Sequence, residues 1–304
     1  YGVGRRSRSD VAICYISDSV DQSVLNRMRK LIQSIDVDAL TMNIESLAEC
    51  MFTHKWINPF PKFKYSERPD TATAAILDGN IVIMVDNSPA VMIIPASIFD
   101  IIEEADDFNF SPMIGSYLRI TRFFFSIVTW ILTPLWLLFV NNPDWVPEFM
   151  KFVLITDDIT VPVLLQLLIL ELAVDGLKLA AVNTPTMLST PLSIVAGIVV
   201  GEYAVSSGWF NPEALLYMAV VTVGTYGQTN FEMGYAFKFL RVLTLILTQI
   251  FNLGGFITGV VISVLMIAFN RTITGKSYIY PLIPWDGKML KRKVLRVRLP
   301  HSYK

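Results

Sequence analysis

The chain has 304 residues, 53% of them hydrophobic and 17% charged, with a net charge of −1 and a mean hydropathy of +0.50. Soluble domains carry about 25% charged residues. The balanced charge excludes a strongly basic nucleic-acid binder, two cysteines exclude a disulfide scaffold or zinc-finger array, and the apolar content excludes disorder. The charges are unevenly placed. Residues 1–122 hold 28 of them, residues 123–270 only 13, and residues 271–304 another 10, nine of which are Lys or Arg. This pattern divides the chain into a soluble α/β or α+β domain over 1–115, a helical membrane domain over 116–270, and a basic cytoplasmic tail over 271–304.

The first residues, Tyr1 to Arg8, lack an apolar leader, and the start reads as a truncation of a longer protein. Val11–Ile16 is a run of strand formers. After Asp18 and Asp21, the residues Val24, Leu25, Met28, Leu31, Ile32 and Ile35 fall at helical spacing and predict a core-facing helix. Glu45–Met51 predicts a second helix. Asn58-Pro59-Phe60-Pro61 breaks the chain, and Asp70–Leu77 predicts a third helix ending at Asp78-Gly79-Asn80. Ile81–Val85 and Ala90–Ile94, joined by Asp86-Asn87-Ser88-Pro89, read as a hairpin, and Ile98–Ala105 as a short helix.

Phe123–Val140 is 18 residues without a charge, about 27 Å of helix and close to the hydrocarbon thickness. Val161–Val174, Leu192–Val205, Ala214–Val223, Phe239–Phe251 and Gly254–Phe269 are shorter apolar segments, some of them short or re-entrant. They predict four to six membrane helices. Glu171 and Asp175 are intramembrane acidic candidates, since a carboxylate there must face a protein partner or water; the alternative places Glu171 and Glu202 at the membrane interface, where the cost is small. Ser193, Gly197 and Gly201 share one helix face, with Glu202 beside them. Small residues at this spacing serve close helix packing or line a pore around an oligomer axis. Gly255 and Gly259 repeat the spacing. Basic residues before the first span and after the last predict cytoplasmic termini, and the tail cluster favours anionic lipid over nucleic acid.

No catalytic constellation, metal-ligand spacing or cofactor loop is present. His54 and His301 stand alone, and the pairs Glu103-Glu104 and Asp157-Asp158 point apart on a helix.

Several ordered stretches carry a family likeness. They are Gly4-Arg5-Arg6-Ser7; Pro59 and Pro61 followed by Ser66-Glu67-Arg68-Pro69-Asp70; Val85-Asp86-Asn87-Ser88-Pro89; Ser116-Tyr117-Leu118-Arg119; and Ser193–Gly201. Together they resemble the spore germination receptor A-subunit (GerA) family along nearly the whole chain. The stretch Asn183–Pro191 with Glu202 beyond it is most similar to the branch called stage V sporulation protein AF. The resemblance implies an integral protein of the spore inner membrane that assembles as a ring homo-oligomer and conducts ions in germination. It also implies a small membrane partner and germinant receptor subunits as further partners. Glu67, Arg68, Pro69, Asp70, Asp86 and Pro89 then carry structural roles, with protomer contact as the alternative. A secondary transporter using Glu171 or Asp175, and a non-conducting scaffold, are the competing readings.

Overall fold

The computed structural model describes residues 1–52, 58–183 and 197–297. They fall into two units, one of residues 1–121 and 265–304, the other of residues 122–264.

The first unit is built on five strands: β1 (Gly2–Val3), β2 (Ser9–Cys14), β3 (Lys64–Ser66), β4 (Ile81–Val85) and β5 (Val91–Ile94), in the order β1-β2-β4-β5-β3. Each of these pairings is antiparallel. Of the two classes expected, this is the α+β one, because parallel strands would need crossover helices. The predicted hairpin forms with Ile81 opposite Ile94 and Ile83 opposite Met92. Asn87 takes a positive φ of 59° in its loop, a conformation that asparagine tolerates.

Alternation along the strands divides two apolar layers. Val11, Ile81, Ile83, Val85, Met92 and Ile94 pack with α1 (Gln22–Gln33) and α2 (Ile44–Met51). Val82 and Ile93 pack on the other face against Ala72 of α3 (Pro69–Leu77). The predicted stripe holds: Val24, Leu25, Met28 and Ile32 are buried, and the Asp21 side chain caps α1 by accepting from the Ser23 N–H. Strand β3 was not predicted, since three residues are too few to show a period. The helix expected over Ile98–Ala105 ends at Ile102 as α4 (Ile98–Ile102), closed at its start by a Ser97/Asp100 capping box.

The chain after the last apolar segment belongs to this same unit. Ile273 joins the main core and Tyr278 is fully buried. The Ile98 N–H donates to the Tyr278 carbonyl at 3.0 Å. A basic helix, which we number last, spans Gly287–Val294, with Asp286 as its cap.

The second unit is helical. α5 (Pro112–Asn141) begins in the first unit and continues here, and α6 (Val163–Asn183), α7 (Pro212–Tyr226) and most of α8 (Phe231–Ala268) follow. α5 and α8 are long and apolar enough to cross a membrane, with mean hydropathies of 2.1 and 2.2. Pro134 sits inside α5. α8 is not one straight rod. Asn252 has φ 52° and ψ −128°. A Cβ on Gly255 would lie 1.7 Å from the Leu247 carbonyl oxygen, and one on Gly259 2.9 Å from Thr244 Cα. Residues 247 and 255 would be about 12 Å apart along a straight helix, so the chain doubles back at Asn252 into a helical hairpin. Gly255 and Gly259 let the two arms touch.

Contacts fix the helix directions. Thr129 of α5 meets Arg241, and Asn142 meets Asn252, so α5 runs parallel to the first arm of α8. Glu171 meets Arg241 and Asp175 meets Lys238, so α6 runs antiparallel to that arm. α7 starts beside the start of α6, where Gln166 and Asn211 exchange hydrogen bonds of 2.8 and 2.9 Å. It ends beside the start of the unit, where Gln228 bonds Ser126. The end of α6 and the start of α7 are therefore at opposite ends of the helix group. Large apolar side chains remain exposed on the outside, among them Phe124, Leu172, Val223, Ile250 and Phe251, each more than half exposed.

Candidate functional site

The apolar second unit encloses a compact cluster of charge. α6 presents Glu171 and Asp175 four residues apart, and α8 presents Lys238 and Arg241 three apart, so each pair lies on one helix face. Because the two helices are antiparallel, the faces mate. Glu171 receives two parallel bonds from Arg241, Nε to Oε1 at 2.5 Å and Nη2 to Oε2 at 2.8 Å. The third guanidinium group donates to the Thr129 carbonyl of α5. Lys238 pairs with Asp175 and donates to the Glu171 carbonyl at 3.1 Å. Glu171 is 4% exposed and Arg241 2%, so this is a buried bidentate pair, the geometry for which arginine is suited.

A further lysine lies one turn beyond. The Lys178 ammonium stands 5.1 Å from the Tyr226 ring centre and 5.3 Å from that of Tyr235. The sequence reading singled out Glu171 and Asp175; it did not assign Lys178, Lys238 or the partner role of Arg241. The signal was available, since these are three of the few cations in the charge-poor stretch, two of them at matching helical spacing.

The small-residue candidates fall elsewhere. Ser193 lies outside the described residues, as do His54 and His301. Gly197 and Gly201 belong to a wide helical turn over Gly197–Tyr203, and a Cβ on either meets nothing within 4 Å among the described residues. Glu202 is exposed.

In the first unit, the motif residues cluster around helix starts and turns. Pro69 occupies the first turn of α3. Arg68 bonds Asp70 at 2.7 Å and pairs with Asp106. The Arg68 guanidinium, then the Thr71 N–H, hold the Asp70 carboxyl at about 2. Glu67 is exposed, Pro59 half-buried and Pro61 buried. Asp86 accepts from the Asn87 N–H at 3.0 Å in the hairpin loop, with Pro89 exposed beside it.

A second charged network is buried in this unit. Arg119 at the start of α5, 1% exposed, forms an ion pair with Glu103 at 2.9 Å, donates to Asp107 at 3.2 Å and donates to the Arg292 carbonyl at 3.1 Å. Lys293 of the last helix pairs with Asp100 at 2.5 Å and Glu103 at 3.2 Å. Burial alone would discharge Lys293, but the Asp100 and Glu103 carboxylates overcome it and raise the lysine above its ordinary value. Burial also disfavours the Asp100 carboxylate, yet Lys293 and Ser97 pull it below the usual range. Arg296 donates to the Phe108 carbonyl at 2.9 Å, while Lys288 and Lys291 of the last helix are exposed, as are Arg271 and Lys276 before it.

The family model described as Bacillus/Clostridium GerA spore germination protein matches residues 1–304. The chain belongs to the GerA family. It is 36% identical over 298 residues to stage V sporulation protein AF of Bacillus subtilis, which covers 98% of this chain and 60% of that protein. It is 26% identical over 296 residues to the B. subtilis protein described as an uncharacterized membrane protein, YfkQ, covering 96% of this chain and 57% of that one. The chain thus spans about 60% of the length of such relatives. Among solved structures, the N-terminal domain of the A subunit of the Bacillus megaterium spore germinant receptor GerK3 matches at 32% identity. That match covers 31% of this chain and 72% of that one, with a TM-score of 0.23. A germination-related role follows from the family.

Proposed function

We propose that this protein is an integral subunit of a spore germination complex in the spore inner membrane, and that copies of it form a ring that passes ions. The membrane placement is supported by the large exposed apolar side chains on every helix of the second unit, which water would penalise and lipid would not. Both the entry at residue 122 and the exit at residue 264 lie at one end of the helix group, which agrees with an even number of crossings and cytoplasmic termini. The ring and its small membrane partner, receptor-subunit contacts and lipid at Lys288 and Lys291 are parts of the same reading.

The observation that carries ion passage is the Gly197–Tyr203 turn. Among the described residues a Cβ on either of its glycines meets nothing within 4 Å, and Glu202 is exposed in a unit where a lone charge facing lipid is costly. A water-filled axis between copies resolves that cost. The test is ion release from germinating spores carrying Gly201→Trp or Glu202→Lys. Reduced release at normal protein level and oligomer size is expected; undiminished release from both variants overturns the pore assignment. The transporter reading through Glu171 is weakened because Arg241 engages both of its oxygens.

A further inference from the structure

The charge cluster of the second unit is unbalanced. Glu171 and Asp175 supply two negative charges; Arg241 and Lys238 pair with them, with Asp175 Oδ1 left without a hydrogen bond among the described residues, and Lys178 brings a third cation. Among the described residues Lys178 makes no ion pair. It faces two tyrosine rings, Tyr226 and Tyr235, whose cation–π attraction supplies only part of what water gives an ammonium. Lys178 is half-buried, and a cation in an apolar helix group without a direct ion pair is costly.

Beside this ammonium is a cavity of about 60 Å³, lined by Lys178, Thr225, Tyr226, Gln228, Phe231, Gly234 and Tyr235. A water needs roughly 10–15 Å³ of such space, so the cavity takes a halide with a few waters or a small carboxylate. It is too small for a nucleotide or a lipid headgroup. Its wall offers hydrogen-bond donors without a carboxylate: the ammonium itself, two phenol hydroxyls and the Gln228 amide. Gly234 contributes no side chain to fill it. Cationic charge in excess, donor groups and a small, partly open cavity coincide at one place.

We propose that Lys178, with Tyr226, Tyr235 and Gln228, forms a binding site for one small monovalent anion, of which chloride is the probe. The anion neutralises the third cation and links the end of α6 to the turn between α7 and α8. The site lies within a single chain, so it stands whether or not the ring passes ions.

The test is equilibrium binding of radioactive chloride to the full protein purified in detergent, with no flux measured. Saturable binding near one ion per chain, competed by iodide and acetate but not by gluconate, is expected. Lys178→Met should weaken it by about tenfold or more, while Lys178→Arg, which keeps the charge, should retain it within about threefold. Thermal unfolding at constant ionic strength provides a second readout, since bound chloride should raise the midpoint over gluconate for the wild type and not for Lys178→Met. Absent saturable binding in the wild type, or equal binding in Lys178→Met, overturns the proposal. So does binding that emerges only in Asp175→Asn, because Asp175 would then be the native counter-ion of Lys178.

Discussion

Arg241 concentrates the consequences of burial at one residue. Its guanidinium closes two bonds to Glu171 and one to the Thr129 carbonyl, so it ties α5, α6 and α8 together. Removing one partner of a buried pair costs about 3–5 kcal/mol, while removing both costs far less. Arg241→Met should therefore destabilise the protein by that amount in denaturant titration, and Glu171→Leu with Arg241→Met should recover much of the loss. A double variant as unstable as the sum of the singles would show that the two do not act as a pair. Lys62 gives a pH-dependent counterpart in the first unit. It is 8% exposed, donates to the Arg271 carbonyl at 2.8 Å and faces the Phe52 and Tyr278 rings. Burial lowers it to about 8, against about 10.4 in an unfolded chain. Between those values the unfolded chain binds more protons, so stability should rise with pH. The stability of the wild type relative to Lys62→Met should increase from about pH 8 to about pH 10; a flat difference rules out this titration.

At the scale of elements, the α8 hairpin is where the sequence was ambiguous and the structure decisive. Phe239–Phe251 and Gly254–Phe269 read as two apolar segments, and the intervening Asn252-Leu253-Gly254-Gly255 left the parity of crossings open. The fold-back depends on Gly255 and Gly259 meeting Leu247 and Thr244 of the other arm. Side chains of Asn142 and Asn252 pair reciprocally at the bend, at 2.6 and 2.9 Å. Gly259→Leu overfills the contact with Thr244 and should cost about 1–3 kcal/mol, measured by denaturant titration in detergent. An equal substitution at Gly254, where a Cβ meets nothing within 4 Å, is the control and should cost less. Equal costs at the two glycines would contradict the hairpin packing. The soluble strands and helices were legible for the opposite reason: their cores are one-sided, so period alone marks them. β3 escaped because it is a three-residue edge strand whose place is set by pairing with β5.

At the scale of the whole molecule, the chain is divided by contact rather than by sequence order. Residues 265–297 return to the first unit, where Ile273 enters the core and Lys293 enters the Asp100–Glu103–Asp107–Arg119 network. In sequence those cations read as a basic juxtamembrane tail facing anionic lipid. The network gives a direct prediction: Asp107→Asn or Arg119→Met should expose the last helix, Gly287–Val294, to trypsin at Lys288, Lys291, Arg292 and Lys293 well before the wild type is cut. Resistance equal to wild type would mean that the network does not hold the helix. Because Asp100 is held below the ordinary carboxylate range, its contribution is present above the unfolded value and is lost only as pH falls through its lowered one. The same segment should therefore stay protected at neutral pH and become accessible in acid.

Composition and periodicity by themselves determined that a mixed sheet-and-helix unit precedes a charge-poor helical stretch, and the ordered motifs pointed to the family that the comparisons then established. These are properties of local patterns, which burial on one face imprints on neighbouring residues. Tertiary structure alone decided which charges meet. Glu171 and Arg241 are 70 residues apart, and Asp175 and Lys238 are 63 apart. Pairing at such separations depends on helix direction and on a fold-back at one asparagine, neither of which leaves a period in the sequence.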